Sequence, residues 1–125
     1  MVPLMTDLTN TIDTYLSAWS EGDDAARAEL VGTVWAEDGR LVDPPMAASG
    51  HAEISGMHAA LQGQFADHRF RRTSAIDEHH GFVRFGWELV GPDGQVALTG
   101  MDVGELGEDG RLRRITGFFG ELQAA

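Results

Sequence analysis

Residues 82–90, FVRFGWELV, and residues 95–106, QVALTGMDVGEL, are the stretch on which the reading of this chain turns. In the first segment Val83, Phe85, Trp87 and Leu89 alternate with Arg84, Gly86 and Glu88, the period of two expected of a strand with one buried face. Gly91-Pro92-Asp93-Gly94 between the segments is turn composition, so the pair reads as a hairpin. In the second segment Leu98, Gly100, Asp102, Gly104 and Leu106 share a face. If that face is the inner one, a carboxyl group stands among glycines and leucines. A lone carboxylate taken out of water is costly, so Asp102 must find partners, become neutral or face an opening. A register shifted by one residue would make it an ordinary solvated strand residue.

Two more strands flank this hairpin, Arg69 to Asp77 and Arg111 to Phe119, separated from it by Glu78–Gly81 and Gly107–Gly110. All three breaks read as hairpins, giving an antiparallel meander. Upstream the period changes. Leu8, Ile12, Tyr15, Leu16 and Trp19 recur at helical spacing, predicting a helix from about Asp7 to Ser20 that Thr6 or Asp7 caps and Gly22 ends. Asp23 or Asp24 opens a second helix, Ala25 to about Val31, and Trp35 after it packs into the core. Arg40 to Asp43 is a short strand, entered by the turn Glu37-Asp38-Gly39 and stopped by Pro44-Pro45. After a loop, Ser49 caps a third helix whose inward face is Ile54, Met57, His58, Leu61 and Phe65. Three helices followed by a meander predict one α+β domain over residues 1–125, with the helices packed on one sheet face.

Composition narrows the partners. The chain has 125 residues, 42% of them apolar, within the globular range. Twenty acidic residues against nine basic ones give a formal charge of −11, which repels phosphate backbones and anionic lipid and argues against nucleic acid or membrane partners. The absence of cysteine excludes disulfides, thiolate metal sites and a cysteine nucleophile. No metal-ligand spacing is present: His51 and His58 are seven residues apart, and His79-His80 falls in a turn. The N-terminus has neither signal-peptide nor transit-peptide character, so a cytoplasmic location is expected.

Several motifs, in order and with near-gapless spacing, resemble one family. They are Tyr15-Leu16 leading to Glu21-Gly22-Asp23, Trp35-Ala36-Glu37-Asp38-Gly39, Leu41-Val42-Asp43-Pro44, Gly50 to Met57, Gly100-Met101-Asp102, Asp109-Gly110-Arg111-Leu112 and Phe118-Phe119-Gly120-Glu121. The chain resembles the SnoaL-like and ketosteroid isomerase branch of the nuclear transport factor two-like superfamily. The resemblance implies a cone-shaped fold, three N-terminal helices on a curved, mostly antiparallel sheet, and a homodimer formed through the sheet's outer face, with Arg84, Glu88, Met101, Val103 and Phe118 on it. It implies that Asp43 is the carboxylate that moves a proton between two carbons, and that Tyr15 and Asp102 donate hydrogen bonds to the enolate oxygen. In the polyketide cyclases of this family the position of Asp102 serves instead as the acid/base. The implied pocket holds Trp19, Met57, His58, Phe85, Trp87, Ile115 and Phe119 and takes a hydrophobic small molecule without metal or cofactor. His58 stands where an aromatic hydroxyl supports the tyrosine, and the segment between Asp23 and Asp43 is longer than the isomerase pattern.

Each candidate also has an ordinary explanation. Tyr15 lies on the core stripe and can point its hydroxyl at a buried partner. Asp43 before two prolines can cap a turn. Asp102 can pair with an arginine such as Arg114. Three functions follow: an isomerase or cyclase moving a proton next to a carbonyl, a non-catalytic carrier of an apolar molecule, or a dimerisation module with a vestigial pocket. Epoxide hydrolysis would need an arginine between the two aspartates, and none is evident.

Overall fold

The structure, a computed structural model, describes residues 5–125, with side-chain surroundings from Asp7 onward. Helix α1 is Met5–Trp19, α2 is Asp24–Val34 and α3 is Gly50–Gln64. The strands are β1 Trp35–Val42, β2 Ala47–Ser49, β3 Arg69–Arg72, β4 Asp77–His79, β5 Phe82–Val90, β6 Val96–Leu106 and β7 Leu112–Phe119. They form one sheet in the order β2-β1-β7-β6-β5-β3, with β4 paired to β5. All pairings are antiparallel except β1 with β7. The architecture is α+β, three helices packed on a curved mixed sheet. No helix among the described residues is long and apolar enough to cross a membrane.

Alternation on β5 holds: Val83, Phe85, Trp87 and Leu89 are buried, while Arg84 is exposed. The inner face of the sheet meets the helical stripe Leu8, Ile12, Tyr15, Leu16 and Trp19 in one core cluster. Burying each such side chain contributes roughly 1.5–3 kcal/mol relative to exposure. The register Phe85↔Asp102 and Asp102↔Gly117 puts Asp102 on that inner face, in the middle strand of three.

Several boundaries differ from expectation, for local reasons. Helix α1 begins at Met5, so Asp7 lies within its acidic first turn and neither it nor Thr6 is the cap residue. Helix α2 continues to Val34, with Gly32 inside it, and Asp23 caps it by accepting the Ala26 amide at 2.8 Å. Glu37-Asp38-Gly39 is no turn: it lies within β1, where the register against β7 shifts between Trp35 and Arg40. Gly39 allows that irregularity, since a Cβ there would stand 2.5 Å from the Trp35 ring. Ser49 is at the α3 N-cap, but its side chain makes no capping bond; it accepts from Arg40 at 2.8 Å instead. Residues read as loop before it form β2. The segment 69–77 breaks into β3 and β4, with Ile76 turned into the core. At the β4–β5 turn His80 and Gly81 have φ of 53° and 82°, the pair of positive values that a two-residue hairpin needs.

The arginine-rich stretches make surface ion pairs. Arg72 clamps α1 through Asp13 at 2.8 Å, Arg71 pairs with Glu88, and Arg84 with Asp77 at 2.8 Å.

Candidate functional site

Three elements converge at one end of the sheet. Tyr15 comes from the third turn of α1, Asp102 from the centre of β6, and Asp43 from the residue just beyond β1, where Pro44-Pro45 halts the strand. Strand β7 lies between β1 and β6, and the registers Val42↔Thr116 and Asp102↔Gly117 put Gly117 between the two aspartates. A Cβ on Gly117 would stand 2.9 Å from Asp102 Oδ1 and 3.4 Å from the Asp43 Cβ.

Asp102 is 4% exposed and bonded at both oxygens. The Tyr15 hydroxyl donates to Oδ2 at 2.9 Å, and the Trp87 indole N–H donates to Oδ1 at 3.0 Å. Burial is the main influence on its pKa and raises it to about 7, against the lowering effect of these two donors; the nearby Asp43 charge adds a smaller push upward. Arg114 plays no part, being exposed and opposite Glu105. Burial likewise lifts Asp43 above the usual carboxylate range, opposed by the Met46 amide. That amide donates to Asp43 Oδ1 at 3.1 Å, so the carboxyl caps its turn as well as facing the cavity. Its Oδ2 has no partner within the described chain. Tyr15 is 1% exposed, edge-on to Trp35 and Phe85, and burial followed by the Asp102 charge raises its hydroxyl well above the ordinary tyrosine value.

The cavity in front of these groups is lined by Tyr15, Asp43, Asp102 and Gly117 together with Leu16, Trp19, Leu41, Val42, Leu61, Phe70, Trp87, Leu98 and Phe119. The cavity opens to solvent and leaves about 20 Å³ free to a water-sized molecule. A single water needs roughly 10–15 Å³ of such space, so the cavity holds about one. Its aromatic wall is continuous: Trp19 packs on Phe70 (5.4 Å between centroids), Phe70 on Trp87 (5.1 Å) and Trp87 on Phe119 (5.9 Å).

Of the residues the sequence suggested for this pocket, the structure brings together Tyr15, Asp43, Asp102, Trp19, Trp87 and Phe119. Met57, His58, Phe85 and Ile115 are buried but do not line it. Phe85 and Ile115 belong to the core, and Met57 borders a separate surface cleft with Met46 and Glu53. His58 lies behind the wall, its ring 4.0 Å from that of Trp19, with both nitrogens buried and without a hydrogen-bond partner among the described residues. Burial, then the Arg27 charge, lowers it to about 3, which keeps it neutral. It makes no bond to Tyr15, so it does not replace a supporting hydroxyl.

Sequence reasoning missed Phe70, Leu98 and Gly117 as wall residues, and Trp87 as a ligand of Asp102. The signal for Trp87 and Gly117 was available. Trp87 is opposite Gly100, where a Cβ would collide with its indole, and Gly117 is opposite Asp102. Two glycines flank the acid because a side chain at either position would displace the acid or its donor. Among the described residues no group of three or more His, Asp or Glu is placed to hold a metal ion.

A SnoaL-like domain model matches residues 12–115, most of the chain and all three polar groups but not Phe119. The chain belongs to the SnoaL-like domain family. A candidate isomerase of that family from Agrobacterium tumefaciens is 39% identical, with 93% of this chain and 99% of that one covered and a TM-score of 0.87. A candidate SnoaL-like polyketide cyclase from a Jannaschia species is 17% identical, over 89% of this chain and 85% of its own, with a TM-score of 0.67. A protein of ketosteroid isomerase-like fold from Catenulispora acidiphila, solved with trimethylamine, is 15% identical over 94% and 85%, with a TM-score of 0.70. The last two likenesses speak to the fold alone. No curated protein matches significantly.

Proposed function

We propose that this SnoaL-like protein is an acid–base enzyme of isomerase or cyclase type that moves a proton at the carbon next to a carbonyl in a small hydrophobic substrate. The observation that carries this reading is the pair of carboxyls on either side of Gly117, facing one aromatic-walled cavity. Burial holds Asp102 at about 7, so both its acid and its base form are populated near neutrality, the condition for efficient proton transfer. Asp43, more accessible than Asp102 and raised by burial against the opposing Met46 amide, acts as the base.

In the forward step Asp43 takes the C–H proton and the C–H electrons form the enol double bond. The carbonyl oxygen receives the Asp102 proton. In the return step the Asp43 proton goes to a different carbon and Asp102 recovers its own, so no electrons are gained or lost. Tyr15 directs its donor bond at Asp102 and not at the cavity, which favours a positioning role for it over the direct enolate donor that the resemblance implied. Trp87 has the same role at the other oxygen.

The test is conversion of 3-cyclohexenone to its conjugated isomer, together with deuterium uptake next to the carbonyl of a panel of small cyclic ketones. Wild-type exchange above buffer, reduced at least 100-fold in both Asp43→Asn and Asp102→Asn, is expected. Equal rates in wild type and variants overturn the mechanism. The narrowness of the chamber favours a second reading, a non-catalytic pocket, in which a bound ligand is recovered chemically unaltered.

We also propose a homodimer through the outer sheet face, where Phe118 is 56% and Val103 37% exposed and Met101 is paired with Phe118. Sedimentation of wild type as a monomer, or no difference on Phe118→Glu, counts against it.

A further inference from the structure

The charge inventory of the cavity has a consequence for the substrate. Among the described residues, every group lining it that can carry charge at neutral pH is an acid, Asp43 or Asp102, and no arginine or histidine lines it. Three arginines on neighbouring elements are engaged elsewhere, and Arg69 and Arg114 are exposed. Arg27 bonds Asp24 at 2.8 Å and the Glu21 carbonyl at 3.1 Å, Arg72 holds Asp13, and Arg71 holds Glu88. His58 is neutral and separated from the cavity by Trp19.

An enol formed here would develop negative charge next to two carboxyls, with no cation among the described lining residues to offset it. Acid–base sites usually place positive charge or donors where such charge appears. This one supplies a single acid proton. The remaining wall is aromatic: the rings of Trp19, Phe70, Trp87 and Phe119 adjoin one another, with Phe70 and Phe119 near perpendicular to Trp87 (80° and 88°). Aromatic faces attract a cation and carry no hydrogen-bond demand. Asp43 Oδ2, without a hydrogen-bond partner among the described residues, is placed to receive an N–H donor.

We infer that the cavity selects compounds carrying their own positive charge, an apolar body with a protonated amine close to the carbonyl. This rests on the carbonyl reading above for the reaction, but the charge preference stands on the lining alone. The amine supplies what the protein lacks, a cation near the developing enolate, and the chain's net charge of −11 favours its approach.

The test uses two six-membered rings of nearly equal size, piperidinium and tetrahydropyran, with cyclohexanecarboxylate as the anion. Each is titrated into the full chain at pH 7 and followed at the indole N–H signals of Trp19 and Trp87. Piperidinium is expected to bind at least tenfold more tightly than tetrahydropyran, with no binding of the anion. Asp43→Asn should cut the piperidinium preference at least threefold, while Asp93→Asn in the exposed β5–β6 turn leaves it unchanged. Equal binding of the two rings, tighter binding of the anion, or an equal effect of Asp93→Asn overturns the inference. Failure of the two proposals is distinguishable. Asp43-dependent deuterium exchange without cation preference leaves the reaction standing and removes this inference; cation preference without exchange does the reverse.

Discussion

Replacing Asp102 by asparagine tests the state of the buried carboxyl without requiring a substrate. Asparagine has the same shape and can satisfy both neighbours, its oxygen accepting from Trp87 and its amide donating to the Tyr15 oxygen. What it lacks is a titrating proton. In the folded chain Asp102 titrates near 7, and its ordinary value is 3.8. The folded state therefore binds the proton more tightly than the unfolded state, so this group's contribution is fully present below about pH 4. It is lost as pH rises through 7, the reverse of a salt-bridged aspartate. A gap of about three pH units at ~1.4 kcal/mol each makes the loss about 4 kcal/mol. Urea unfolding of wild type and Asp102→Asn from pH 4 to pH 9 isolates the effect, because the other acids are common to both and cancel, apart from the Asp43–Asp102 repulsion. The variant should gain about 4 kcal/mol on wild type between pH 4 and pH 8, with unchanged m-values and a plateau above. A flat difference, or one falling with pH, would refute a carboxyl destabilised by burial.

Three further outcomes follow from the same contacts. Trp87→Phe removes a donor that favours the ionised carboxyl, worth roughly 1.5–3 kcal/mol; Asp102 should titrate one to two units higher by carboxyl ¹³C NMR, and a lower value would contradict the geometry. Gly117→Ala puts a methyl group 2.9 Å from Asp102 Oδ1; the Trp87 indole N–H should shift and ketone exchange fall at least 100-fold in a chain whose circular dichroism is native. His58→Leu replaces a fully buried ring whose two nitrogens lack partners, so urea unfolding should show stabilisation of about 1 kcal/mol or more, and a loss of similar size would indicate a bond that His58 makes in solution.

The parts that were readable before the fold was known were those set by local periodicity. Val83 to Leu89 announces a half-buried strand, and Asp102 stands out against the apolar residues of its own face. Tyr15 and Asp43 became notable only through family resemblance, because their meeting depends on the parallel pairing of β1 with β7, which no neighbouring residues encode. His58 failed as a pocket residue for a related reason. Helical spacing says that it points inward, but not whether the adjacent Trp19 stands between it and the cavity. Ser49 likewise had the composition of a cap, and a cross-strand arginine took its hydroxyl.

The glycines carry the most transferable lesson. A glycine in a strand interior weakens the strand, by entropy and by the missing side chain. Gly100 and Gly117 are on the two strands that hold and face Asp102, one beneath the Trp87 indole and the other against the carboxyl. If Asp102 were merely tolerated in the core, a larger apolar residue at either position would raise strand stability and fill the adjacent space. The two positions make sense together as the room needed for an indole donor, a buried acid and the gap between that acid and Asp43. A buried strand acid with glycines beside and opposite it is thus a sign of a built site: the glycines beside Asp102 in LTGMDVG are legible in the sequence, whereas Gly117 in ITGFF joins them only through the β6–β7 register.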